Sequence, residues 1–171
     1  MTENGLPCLE ILSATPEILR GLMCELSDDD ARWKPAPDRF SVAEVLAHLS
    51  QSESHCYRAR LDLFLSEDHP TFEPDDAQFH LHLYRDADPE DAFDHFEDQR
   101  ETNIEYLENL PAGSGDRRAF HKEAGEITLS QMLHEWAMHD LGHIRQVAEL
   151  VRARKHLAGA GPLGRSYELK P

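Results

Sequence analysis

The stretch LHEWAMHDLGHIRQV, residues 133–147, constrains the fold more tightly than any other. Trp136, His139, His143, Gln146 and Leu150 alternate at spacings of three and four, the rhythm of a helix face packed in an inter-helix seam. Val147 lies four residues beyond His143, so the face carrying both imidazoles is also the apolar, inward face. Residues four apart stack one turn above the other. His139 and His143 can therefore chelate one metal ion from a single helix, as the two histidines of HExxH do. Polar rings aimed into a helical core require a partner, and a metal is the leading expectation, with His48 from an earlier helix as third ligand.

The rest of the chain supplies helices to pack against this one. Thr15-Pro16-Glu17 reads as an N-cap, a proline at the first helical position and an acid in the first turn. Leu19, Leu22, Met23 and Leu26 follow at helical spacing. Leu9 and Leu12 predict a short separate helical segment, because Pro16 should break or kink a continuous one. Residues 27–37 read as a loop, with Trp33 folded back onto the core. Ser41 and Glu44 form a capping box with Phe40 as a hydrophobic staple before it. The helix they open carries Val42, Val45, Leu46, Leu49, Cys56 and Leu63 on one stripe and should reach about residue 65. Residues 66–87 are a long connection, expected to pack Phe72, Phe79 and Tyr84 across one end of the molecule. Connections of this length are usually functional or disordered.

Asp88-Pro89 caps a third helix with Phe93, Phe96, Ile104, Leu107 and Leu110 on one face. Residues 113–125 are basic and irregular, with room for a short hairpin-like turn. Thr128 and Gln131 form a second capping box that opens the last helix, to about residue 155. No segment of weight has strand periodicity. Four amphipathic helices predict an all-α four-helix bundle. The 171 residues suit one domain, with a core over about 7–156 and an extended tail over 157–171.

Three neutral imidazoles suit zinc, nickel, iron or copper and leave coordination positions open for water or substrate. Two alternatives stand at this point: His48, His139 and His143 meet at a metal, or they are unrelated core and surface histidines. Other residues bear on the choice. His55 shares the His48 face but sits ~10 Å along the axis, so it is expected to be solvated. His134 lies roughly 140° round the helix from His139 and is expected to face elsewhere. Asp140 and Glu135 could accept an imidazole N–H, although exposed acids are the commoner case. Arg100 sits on the apolar stripe of the third helix and needs a carboxylate or an anionic substrate; a structural ion pair is the expectation. Tyr57 and Tyr106 are read as packing residues, and Cys56 as a small hydrophobe.

Composition narrows the functional classes. The net charge of −16, from 33 acidic and 17 basic residues, repels phosphate backbones and anionic membrane surfaces, so neither nucleic acid nor membrane is an expected partner. No basic-then-apolar leader and no apolar run of ~18 residues is visible. Three widely spaced cysteines make no disulfide framework and suit a reducing cytoplasm.

Taken together, these residues resemble the DinB/YfiT family of metalloenzymes. The resemblance rests on RWKPAPDRFSVAEVLAHLSQSE from Arg32, HFEDQR ending at Arg100, and GEITLSQMLHEWAMHDLGHIRQV from Gly125. It implies an up-down-down-up bundle and a divalent metal on His48, His139 and His143, with zinc or nickel ahead of iron or manganese. It also implies a homodimer, and a reaction of either thiol S-transfer, with a low-molecular-weight thiol as cosubstrate, or hydrolysis of a small molecule. Phe40 stands where the family commonly has Trp. The competing expectation is a non-catalytic metal or small-molecule binding module; the residues alone do not separate the two.

Overall fold

The computed structural model describes residues 4–74 and 84–167. Helix α1 (Leu9–Met23) runs unbroken through Pro16, correcting the expected break. Pro16 has no N–H for the Leu12 carbonyl, and Arg100 Nη1 takes that carbonyl instead at 2.7 Å. A foreign donor thus repairs the turn that the proline would otherwise leave open. The expected loop after it contains a one-turn helix, α2 (Asp28–Arg32), because Ser27 and Asp30 form a capping box. Trp33 does pack onto the apolar core.

The second long helix is composite. Helix α3 (Val42–Gln51), with the Ser41–Glu44 capping box, passes into a π-helical segment (Ser52–Arg58) and then α4 (Ala59–Ser66). The wider π turn shifts the inward stripe by one residue. Tyr57, Leu61 and Phe64 are buried where continued α periodicity pointed to Cys56 and Leu63, and these two pack only partly buried against the core.

Strand β1 (Thr71–Phe72) follows, and Phe72 and Tyr84 are buried as expected of the long connection. Phe79 lies outside the described residues. Asp88 caps helix α5 (Pro89–Glu108) through the backbone N–H groups of Glu90 and Asp91. The irregular basic stretch forms a hairpin of β2 (Arg118–His121) and β3 (Gly125–Thr128), with β1 added parallel to β2. This small sheet is more strand than the sequence suggested, because two-to-four-residue strands have too little periodicity to register. Helix α6 (Leu129–Val151), opened by the Thr128–Gln131 capping box, completes the bundle. The tail is not extended: Gly161–Tyr167 is a 3-10 helix. A Cβ at Gly164 would lie 2.9 Å from the Leu157 carbonyl, so glycine there allows the chain to fold back closely.

Side-chain pairs fix the helix directions. Glu53 bonds Arg100 while Arg58, further along, reaches Asn103 and the Tyr106 ring, so the second and third long helices run parallel. His48 meets His139 whereas Glu53 meets Trp136, so the second and fourth are antiparallel. Arg20 pairs with Glu97 and Leu12 with Arg100, so the first and third are antiparallel. The bundle is up-down-down-up, and the long connection is what allows two consecutive helices to run the same way.

A polar belt crosses the core. One apolar cluster gathers Leu12, Tyr57, Leu107 and Trp136; another gathers Leu19, Leu49, Phe96 and Val147. Between them each long helix contributes buried polar residues: Thr15, Ser52 and Glu53, Arg100 and Asn103, and Asp140. The histidines lie at this level. Among the described residues no helix is long and apolar enough to cross a membrane.

Candidate metal centre

His48 projects from the last turns of α3, and His139 and His143 from successive turns of α6. The structure brings all three together, each offering one ring nitrogen, with these nitrogens within 4.8 Å of one another. His48 Nε2 and His139 Nε2 are 3.0 Å apart. Two nitrogens each ~2.05 Å from one ion at a tetrahedral angle would lie about 3.3 Å apart. The donor set is therefore the right chemistry at the right spacing for a divalent metal held by three imidazoles.

The outward-facing nitrogens have separate surroundings. His143 Nδ1 lies 2.9 Å from Gln146 Oε1, an acceptor, which leaves His143 Nε2 to face the cluster. His48 Nδ1 lies 3.4 Å from the Tyr84 hydroxyl. His139 Nδ1 is buried with no hydrogen-bond partner, and Asp140 Oδ1 stands 3.9 Å away. Burial first, and then the neighbouring His139, push the His143 imidazole down to about 4, so it is neutral near pH 7 with a lone pair available. The Phe40 and Tyr84 rings pack around His48. Beyond Phe40 opens a cavity of about 700 Å³ lined by Lys34, Arg39 and Arg85, among others, a size that suits a small molecule.

Behind the histidines is a charged network. Arg100, 1% exposed, donates to Asp140, Glu53 and the Leu12 carbonyl, touching the other three long helices at once. Glu53 also accepts from Trp136 Nε1 and Asn103 Nδ2, and Asp140 lies 2.7 Å from the Thr15 hydroxyl. Burial opposes ionisation of Asp140, but His139, Arg100 and Thr15 around it hold the carboxyl below the usual range. Arg100 is the structural ion pair that the sequence led us to expect. Asp140 corrects the expectation of an exposed acid: it is fully buried.

The other sequence candidates lie off the site. His55 is exposed beside Ser54 and His134 is exposed against Cys8. Glu135 is exposed and engages the Tyr57 hydroxyl. Tyr57 stacks on Trp136 at 4.3 Å, and burial, with Glu135, pushes its phenol far above the ordinary value, which suits packing rather than acid catalysis. Glu53 was missed by sequence reasoning, although its place four residues after Leu49 continues the inward stripe and is the signal that could have found it. Tyr84 was expected only to pack, and nothing in its local sequence pointed to His48.

The chain is similar to known proteins in sequence and in fold. The sequence profile of the DinB superfamily matches residues 11–147. A protein of Oceanobacillus iheyensis that bears the provisional name of a metal-dependent hydrolase is 23% identical over 140 residues, 81% of each chain. The solved structure of YfiT from Bacillus subtilis, described as a probable metal-dependent hydrolase with an unusual four-helix bundle topology, superposes with a TM-score of 0.73. It is 24% identical and covers 84% of this chain and 83% of its own.

Proposed function

The chain belongs to the DinB superfamily, and from that premise we propose that it is a metal-dependent hydrolase whose ion is held by His48, His139 and His143. The observation that carries this is the convergence of three ring nitrogens from two helices within 4.8 Å. A divalent metal there, zinc or nickel by the donor set, supplies Lewis-acid activation of a bound nucleophile. The chain's own residues orient the donors: Gln146 holds His143, Tyr84 approaches His48, and the polar belt braces His139. Three protein ligands leave room for a nucleophile and a substrate; the cavity beyond Phe40 is lined by none of the three histidines, with the Phe40 ring packed between it and His48.

Water as nucleophile gives hydrolysis, the activity named for the relatives. A low-molecular-weight thiol in the same position gives S-transfer to an electrophile. The test is metal analysis of protein reconstituted with zinc or nickel, followed by parallel assays of ester and amide cleavage and of thiol addition to electrophiles. We expect one metal per chain and turnover abolished by chelator. Absence of stoichiometric metal after reconstitution overturns the assignment. Thiol-dependent turnover without hydrolysis, with thiols perturbing a cobalt-substituted spectrum, reassigns it to S-transfer; a loaded protein inert in both assays is a binding module. The same proposal takes the protein as a homodimer, with the exposed Met138 and Leu141 of α6 as contact residues, testable by analytical ultracentrifugation.

A further inference from the structure

We propose that Asp140 is the positioning residue for His139, fixing the ring tautomer that presents Nε2 to the cluster. This rests on the metal assignment above but is separable from it. His139 Nδ1 is buried and has no hydrogen-bond partner. Among the described residues, Asp140 Oδ1 at 3.9 Å is the carboxylate oxygen that approaches it. An Nδ1–H left unpaired inside a protein costs free energy, and a carboxylate is the acceptor that stabilises it best. With the proton on Nδ1, the lone pair is on Nε2, the atom that faces His48 at 3.0 Å.

Asp140 is held for this task from behind. Arg100 Nη1 and Nη2 grip its two oxygens at 2.6 and 3.0 Å, and the Thr15 hydroxyl lies 2.7 Å from Oδ2. Thr15 and Arg100 engage Oδ2 more closely, so Oδ1 is the oxygen with capacity left over, and Oδ1 is the one nearest His139. Arg100 is itself fixed by Glu53 and by the Leu12 carbonyl that Pro16 leaves free. The orientation of one imidazole is thereby tied to backbone and side chains of all four long helices. Outer partners of this kind typically change metal affinity 10–100-fold when removed.

The decisive measurement is the tautomer of His139 in the metal-free wild-type protein, read from long-range 1H–15N correlations of the imidazole. We expect the proton on Nδ1; a proton on Nε2 overturns the proposal, and no variant or metal is needed to learn this. Asp140→Ala should move the proton to Nε2 or give a mixture, and zinc affinity, measured by chelator competition, should weaken about 10–100-fold. Asp140→Asn, which keeps an oxygen acceptor, should recover part of both. Metal-free unfolding midpoints identify any variant that is merely destabilised. Unchanged zinc affinity in a folded Asp140→Ala protein overturns the positioning role and leaves the metal assignment standing. A wild type that binds no zinc but has the Nδ1–H tautomer separates the two in the other direction.

Discussion

Arg100 donates to the Leu12 carbonyl at 2.7 Å, and Leu12 is the residue whose carbonyl Pro16 has no N–H to engage. A proline in the first helix and an arginine in the third, 84 positions on, thus complete one another. The proline opens a backbone acceptor within the core, and the arginine enters the core bearing more donors than two carboxylates can use. Neither residue would be comfortable alone. Together with Glu53, Asp140 and Thr15 they make the polar belt that separates the apolar clusters, at the level where the histidines gather.

Removing Arg100 should expose how much depends on it. Arg100→Ala leaves two buried carboxylates, Glu53 and Asp140, without their cation, and the Leu12 carbonyl without its donor. The expected loss is about 3–5 kcal/mol of folding free energy. Urea unfolding of the metal-free protein at neutral pH measures it.

Single alanine substitutions at His48, His139 and His143 should each abolish stoichiometric metal, while His55→Ala and His134→Ala should leave metal content unchanged. Elemental analysis after equal reconstitution checks all five. Loss of metal in either control would move the centre away from the three converging rings.

The depressed His143 value sets a pH dependence with a definite sign. Its folded value, about 4, lies below the unfolded value of about 6.5. Between these limits the unfolded chain binds a proton that the folded chain does not, so stability is complete above about 6.5 and falls as the pH drops towards 4. Solvent screening at the partly exposed ring keeps the slope below about 1.4 kcal/mol per pH unit. Urea midpoints of metal-free protein across this window should fall with acid, and those of His143→Gln should fall less. An ordinary imidazole would surrender its metal below about 6; His143 keeps its lone pair further into acid.

At the C-terminus, Gly164→Ala places a methyl group 2.9 Å from the Leu157 carbonyl, closer than such atoms approach. The last 3-10 helix should then detach, seen as faster limited proteolysis after residue 157. The bundle, whose core does not include this segment, should keep its unfolding midpoint to within about 0.5 kcal/mol and its full metal content.

Much of the site could be read from the sequence because its histidines obey helical arithmetic. His139 and His143 announce themselves by a spacing of four on an apolar face, and His48 by its place beside the Val45–Leu49 stripe after a capping box. Helix starts at Ser41, Asp88 and Thr128 were legible for the same local reason. What lay hidden was non-local. Pro16 looked like a break because its remedy is a side chain from another helix. Asp140 looked like a surface acid because its partners, Arg100 and Thr15, are far off in the chain. Leu61 and Phe64 fell off the expected stripe because a π turn is invisible to a count by threes and fours. The tail looked extended because its glycines suggested freedom, when Gly164 supplies closeness.

The π segment at Ser52–Arg58 also makes the second helix a two-phase rod. Upstream of it, His48 is in register with the face of α6 that carries His139 and His143; downstream, Tyr57, Leu61 and Phe64 are in register with the apolar cluster around Trp136. One residue is the whole offset. Straightening the segment into α geometry with every residue retained would turn everything after it by about 100° while leaving His48 where it is. Deleting one exposed residue of the segment, such as His55, removes the extra residue together with the bulge, so the shortened chain should keep Tyr57, Leu61 and Phe64 on the core and His48 beside α6.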